Sequence, residues 1–232
     1  MKFSLVMLCL NEFECLKIIL PRVDKTWVDE IIIVDGGSTD GSVEYARGQG
    51  FYVLSQKGEG IIQGYKEGFD QTTGDVIIDF TPDGNCIPEK IPELVEKMKE
   101  GYDMVIVSRY KDNAKSYDDT LISGLGNWLF TTLVNVLFKA QYTDVLNFFR
   151  ACRRDVYQKA GIEIKRRPVQ TRLSARLAKK GYKVAEISGD EPKRIAGKSY
   201  THTVKNGLNE LFIIIEEFFN IPSFFIDQLL KF

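Results

Sequence analysis

Along the first half of the chain, short β-branched runs alternate with segments whose apolar residues recur at helical spacing. Phe3 to Leu10 predicts a strand, and after Asn11-Glu12 an apolar-periodic segment reaches Leu20, where Pro21 ends the helix. Ile31 to Val34 is entirely β-branched, as in a strand buried on both faces, and Asp35-Gly36-Gly37-Ser38-Thr39-Asp40-Gly41-Ser42 turns from it into a helix beginning at Val43. Phe51 to Leu54 predicts a third strand, and Lys57-Gly58-Glu59-Gly60 opens a helix that runs to Phe69. Val76 to Asp79 is the fourth, Pro88-Glu89 starts the helix of Ile91 to Met98, and Asp103 to Val107 is the fifth. Strands separated in this way by helices imply a mostly parallel, doubly wound α/β sheet with ligands at its C-terminal rim.

The second half is less regular. Lys111 to Thr120 is polar and predicts a loop over the site, and Leu121 to Phe138 is a long apolar helix containing Asn127 and Asn135. In Tyr142 to Arg150, YTDVLNFFR, Asp144 and Arg150 bracket apolar residues. Val169 to Lys179 predicts a basic helix, Tyr182 to Ile187 a strand, and Glu191 to Ser199 a cationic loop. The last segment, Leu208 to Phe232, is rich in Leu, Ile and Phe, is divided by Pro222, and has no uninterrupted run long enough to span a bilayer. The expected division is a catalytic domain over 1–203 and an amphipathic helical tail over 204–232. The tail would pack on its own domain, form a homodimer or lie in a membrane interface, and its acidic residues favour the first two.

With 232 residues, 44% hydrophobic and 27% charged, the chain has the composition of a soluble globular protein. A net charge of −1 gives no overall attraction to nucleic acid, although basic residues bunch between Arg150 and Lys198, where either a solvated face or an anion-facing surface would account for them. Cys9, Cys15, Cys86 and Cys152 form no CxxC pair, which argues against a zinc ribbon or a disulfide framework and for a reducing, cytoplasmic compartment. The apolar run Leu5 to Leu10 is too short for a signal peptide or a span.

Candidate chemistry concentrates in Val76 to Asn85, VIIDFTPDGN. The strand delivers Asp79 toward the rim, and the turn that follows adds Asp83 and Asn85, hard oxygen donors of the kind that suit Mg²⁺ or Mn²⁺ carrying a diphosphate. An isolated Pro-Asp-Gly-Asn favours the plainer reading of an Asx-capped turn, and it is the rest of the chain that shifts the balance. No G-x-G-x-x-G follows the first strand, which weakens a dinucleotide-fold reading. The lone histidine, His202, is assigned no role.

Taken together, Asn11-Glu12, the run Asp35 to Ser42, Lys57 to Gly60, Thr81 to Asn85, Ser108-Arg109-Tyr110, the FFR ending at Arg150, and RIAGKS from Arg194 to Ser199 occur in the order found in family 2 glycosyltransferases of GT-A fold. The chain resembles in particular the polyprenyl-phosphate sugar synthases. The resemblance implies a nucleotide-diphosphate sugar donor, with UDP or GDP as carrier, and a polyprenyl-phosphate or saccharide acceptor. Asp35 is then the carboxylate that binds base or ribose, with Asn11, Glu12 and Asp40 shaping its pocket. Asp83 and Asn85 hold the metal, Lys57 lies near a phosphate, and Arg109, Arg150, Arg194 and Lys198 bind donor or acceptor phosphate. Asp144 is the candidate base should the acceptor be a hydroxyl, alongside Asp118 and Asp119. The chain departs from the family pattern in having Thr81 in place of the first metal-motif acid, and Asp118-Asp119 where an arginine is usual. A nucleotidyltransferase would carry a Gly-rich basic loop in place of Asn11-Glu12, and a catalytically inactive scaffold would bind no nucleotide with Mn²⁺.

Overall fold

A computed structural model describes residues 1–161, 169–197 and 203–221. Among these, the strands are β1 (Phe3–Cys9), β2 (Glu30–Asp35), β3 (Tyr52–Ser55), β4 (Val76–Phe80), β5 (Met104–Ser108), β6 (Arg150–Arg153) and β7 (Val184–Ser188). The helices are α1 (Phe13–Ile19), α2 (Ser42–Gly48), α3 (Ile61–Gln71), α4 (Ile91–Lys99), α5 (Leu121–Phe138), α6 (Arg154–Lys159), α7 (Val169–Lys179) and α8 (Thr203–Phe219). The strands form one sheet in the order β3-β2-β1-β4-β6-β5-β7. All run parallel except β6, which lies antiparallel between β4 and β5.

Alternation along each strand sends side chains into two cores. Leu5, Met7, Ile78 and Phe80 pack with α1, α2 and α4 on one face, while Val6 and Ile77 pack with α3, α5, α6, α7 and α8 on the other. The five strands expected between Phe3 and Val107 are present, so the mostly parallel α/β sheet is as the alternation of β-branched runs and helical segments implied. The antiparallel β6 was not foreseen. Its residues Arg150-Ala151-Cys152-Arg153 carry no β-branched or aromatic signal, and what makes them a strand is the ladder of partners on both sides, with Ala151 opposite Ile78 and Val105.

The acids of α8 point inward. Arg172 of α7 pairs with Glu216 at 2.5 Å and Glu217 at 2.8 Å, Arg176 pairs with Glu217 at 2.8 Å, and Ile213 and Ile214 are buried beside them. Part of the basic bunch therefore serves as internal counter-ions to α8 rather than as an anion-facing surface. Lys165, Arg166, Arg167, Lys198, His202 and the tail from Pro222 onward lie outside the described residues.

The backbone of α3 rests directly on the sheet at Gly68, where a Cβ would stand 2.6 Å from Val6 Cγ1 and 3.0 Å from Val34 Cγ2. Substituting Gly68→Val is expected to cost about 1–3 kcal/mol through overpacking, read from the denaturant midpoint. An unchanged midpoint would contradict this close contact.

Candidate functional site

The rim of the sheet is shaped by loops that are knitted to one another. After β2, the Asp35 carboxylate accepts the backbone N–H of Gly37 at 3.0 Å and of Ser38 at 3.1 Å, so the chain curls back over the strand end. After β1, Asn11 adopts φ 54°, a left-handed conformation that Asn tolerates. Its N–H donates to Ser38 Oγ at 2.8 Å, and its side-chain oxygen accepts from the Thr39 N–H at 2.9 Å. Asp40 takes the N–H groups of Phe13 and Ser42, each at 3.0 Å, and the Ser42 hydroxyl at 2.5 Å. Those bonds hold its carboxyl below the ordinary value, with burial opposing them. Asp40 thus fixes the start of α1 to the start of α2 and shapes the rim from beneath.

At the end of β4, Asn85 N–H donates to Asp83 Oδ1 at 3.1 Å and the Thr81 hydroxyl donates to the same oxygen at 3.0 Å. Gly84 has φ 101°, and a Cβ there would meet Ile195 Cγ1 at 2.6 Å. This glycine lets the segment Pro192 to Gly197 cross directly over the turn. The strap is fastened by Ile195 N–H to Asp83 O at 2.9 Å and by the Asn85 side-chain amide to Pro192 O at 2.9 Å.

The strap delivers Arg194 between two acids. Its Nη1 donates to Asp83 Oδ2 at 2.9 Å, its Nη2 donates to Glu12 Oε1, and its Nε donates to Ala196 O at 2.7 Å. Of the five guanidinium N–H bonds, two remain for another acceptor. Burial raises the Glu12 carboxyl above its ordinary value, and Arg194 pulls in the other direction. Glu12 Oε2 is buried without a partner.

No group of three or more His, Cys, Asp or Glu able to hold a metal is present among the described residues. The donor set nonetheless suits a hard cation of the Mg²⁺ type, which is commonly held by one or two carboxylates and completed by phosphates. Asp83 would be the residue to hold it, Asn85 engages the strap through its nitrogen rather than its oxygen, and the orphaned Glu12 oxygen lies in the same cluster. Arg194 now occupies one oxygen of Asp83.

Asp79 does not join this cluster. Strand alternation turns it to the α3 face, where it is buried, accepts the Tyr65 hydroxyl at 2.5 Å and is pushed up to about 7 by burial. Lys57 is exposed, and its backbone N–H is held by Glu67 at 3.0 Å.

On the other side of β4, Arg109 is half-buried against two carboxylates. Asp144 takes Nε at 2.7 Å and Nη2 at 2.9 Å in a fork, and Glu191 takes Nη1 at 3.2 Å. The candidate base Asp144 requires correction, since it is 0% exposed with both oxygens engaged by Arg109 and is placed to hold that arginine rather than to receive a proton. Asp119 accepts the Tyr110 hydroxyl, and Asp118 lies 3.4 Å from the Arg194 backbone N–H.

Arg150 also requires correction. It is 0% exposed and donates to Asn147 O at 2.9 Å, Val145 O at 3.1 Å, Gln170 O at 3.2 Å and Ser174 Oγ at 3.1 Å, inside the core. The FFR ending resembles a phosphate-binding position in sequence, but the antiparallel β6 directs its arginine into the protein. Glu191 and Ser116 were not singled out from the sequence. No motif marks them, and their roles arise from a bridge between two loops.

The comparisons with known proteins agree with this architecture. Residues 4–161 match the model of glycosyl transferase family 2, and the chain belongs to that family. It is 24% identical over 178 residues to glycosyltransferase AglJ of Haloferax volcanii, covering 76% of this chain and 58% of that protein. Over 203 residues it is 26% identical to the undecaprenyl-phosphate mannosyltransferase of Micrococcus luteus, covering 82% of this chain and 83% of the relative. Over 116 residues it is 36% identical to the undecaprenyl-phosphate 4-deoxy-4-formamido-L-arabinose transferase of Klebsiella pneumoniae, which spans 45% of this chain and only 36% of that transferase. Among solved structures, glucosyl-3-phosphoglycerate synthase of Mycobacterium tuberculosis, in complex with Mn²⁺, UDP-glucose and glycerol 3-phosphate, superposes with a TM-score of 0.71 at 18% identity, covering 95% of this chain and 81% of that one. The fold is accordingly GT-A-like.

Replacing Arg150→Leu strands buried carbonyls, and the expected loss is about 3 kcal/mol or more of stability with nucleotide affinity of the folded protein unchanged. Full stability with weakened nucleotide binding would return Arg150 to the site.

Proposed function

We propose that this chain transfers a sugar, with inversion, from a UDP- or GDP-sugar to a polyprenyl phosphate. The observation that carries the reading is the convergence of Asp35, Glu12, Asp83 and Arg194 on one rim of the sheet, from four separate stretches of chain. Asp35 and Asn11 would bind base or ribose, and Asp83 with Asn85 would hold Mg²⁺ or Mn²⁺. When bound, that ion supplies charge to stabilise the departing diphosphate. The spare N–H groups of Arg194 suit the same diphosphate oxygens, and Lys198 belongs to the same motif.

A phosphate acceptor is already anionic at neutral pH and needs no general base, which accords with Asp144 being committed to Arg109. The relatives from M. luteus and K. pneumoniae, undecaprenyl-phosphate transferases by name, support the same acceptor class. So does α5. It carries no charged residue, and Leu121, Ile122, Leu125, Trp128 and Val136 are exposed along one side, a face suited to peripheral contact with a lipid surface. By length and composition alone it could also cross a membrane.

Incubating the purified chain with UDP- and GDP-sugars, Mn²⁺ and a polyprenyl phosphate should give a lipid-linked sugar. Transfer only to saccharide hydroxyls would contradict the acceptor. Asp83→Ala is expected to abolish both transfer and Mn²⁺-dependent nucleotide binding while leaving the melting temperature near that of the parent, and near-normal turnover would reject Asp83 as anchor. Arg194→Ala should slow transfer yet bind Mn²⁺ more tightly in the absence of nucleotide, because Asp83 loses its resident counter-ion; weaker Mn²⁺ binding by titration would reject that competition.

A further inference from the structure

The loop after β7 places a second carboxylate on Arg109, from a residue outside the motifs quoted above. Asp144 fixes one edge of the guanidinium with contacts of 2.7 and 2.9 Å, and Glu191 meets the remaining nitrogen, Nη1, at the longer distances of 3.2 and 3.4 Å. One cation thus stands between two acids, and the cluster carries a formal charge of −1 while both are ionised. Any anion that approaches Arg109 at Nη1 meets Glu191 already there.

Glu191 is also the stitch that closes the loop over the site. Its side chain accepts the Ser116 hydroxyl, its N–H donates to Lys115 O at 2.9 Å, and its carbonyl accepts the Tyr117 N–H at 2.8 Å. Ser116 in turn accepts the Asp119 N–H at 3.1 Å, and Asp190 accepts the Lys115 N–H at 2.8 Å. The segment from Lys115 to Asp119 therefore depends for its position on a residue that neutralises Arg109. Three residues further on, the same strap carries Arg194 into the donor half of the site.

We propose that Glu191 is a displaceable counter-ion that sets acceptor specificity: an incoming acceptor phosphate takes Arg109 Nη1, and Glu191 releases Ser116 and the loop as it gives way. Glu191 is a positioning residue, acting through Arg109 and the loop. The proposal rests on the reading of the acceptor as a lipid phosphate. The asymmetry of the contacts favours it, since the bidentate Asp144 keeps Arg109 in place while the longer, partly exposed Glu191 contact is the one a dianionic phosphate can replace. Burial also raises the Glu191 carboxyl above its ordinary value, in spite of Arg109, so its ionised form is held less firmly than that of an exposed acid.

The test is steady-state kinetics of the parent, Glu191→Gln and Glu191→Asp on a short-chain polyprenyl phosphate with saturating sugar nucleotide, with melting temperatures matched. Glu191→Gln keeps the shape and the hydrogen-bonding capacity but removes the charge. Its KM for the acceptor should fall about threefold to tenfold with kcat within about twofold, as expected for relief of one like-charge contact, and Glu191→Asp should keep the parent KM. Limited proteolysis between Lys111 and Thr120 should match the parent's in Glu191→Gln, whose amide oxygen still accepts the Ser116 hydroxyl, and should be faster in the parent on adding polyprenyl phosphate. An unchanged KM in Glu191→Gln, with proteolysis of the parent unmoved by polyprenyl phosphate, would overturn the proposal and leave the acceptor reading standing. A fall in kcat of about a hundredfold with unchanged KM, on a saccharide hydroxyl that the parent uses while it ignores polyprenyl phosphate, would make Glu191 a general base and overturn both.

Discussion

One guanidinium between two carboxylates closes the rim of this sheet. Glu12 follows β1, Asp83 follows β4, and Arg194 arrives on a strap from the far end of the sheet, so the ion cluster adds to the hydrogen bonds that hold the strap over the turn after β4 and ties both to the start of α1. Holding a buried Glu12 and a half-buried Asp83 side by side is costly without a cation, and the strap supplies one. Under the proposed function a nucleotide diphosphate and a divalent ion would bring their own charges to the same place, and their binding would be an exchange of partners.

The loops of the proposed donor half were legible in the sequence because their geometry is local. The β-branched strands, the glycines of the Asp35 to Ser42 turn and the Pro-Asp-Gly-Asn turn after β4 fix their own geometry within a few residues, and that is why Asp35 and Asp83 stand where the pattern placed them. Asp79 was less transparent. Being in the strand rather than after it, it obeys the two-residue alternation and turns inward to Tyr65.

The acceptor half depends on pairing across long sequence separations, which no local pattern encodes. Arg150 is aimed by an antiparallel strand that exists only because β4 and β5 flank it, and Asp144 is claimed by an arginine on another loop. Both residues look like site residues in one dimension and serve as internal supports in three. Glu191 is the converse case, an unremarked acid at the head of a cationic loop that becomes important through the bridge to Ser116. The acidic residues of α8 favoured packing on the domain or a dimer over a membrane interface, but nothing local showed that Glu216 and Glu217 pair inside the molecule with arginines of α7. The apolar face of α5 remains outward, and it lies on the helix entered from the very loop that Glu191 holds.

The central claim, that Arg194 exchanges carboxylates for diphosphate, is open to direct observation. Nuclear magnetic resonance of the arginine side-chain N–H groups, followed while UDP or GDP is added with Mg²⁺, reports the partners of Arg194 individually once its signal is assigned by substitution. The account predicts that one of the two nucleotides binds and moves the Arg194 resonances while those of the core residue Arg150 stay in place. A nucleotide that binds with the Arg194 signals unmoved, or the failure of both nucleotides to bind, would contradict it.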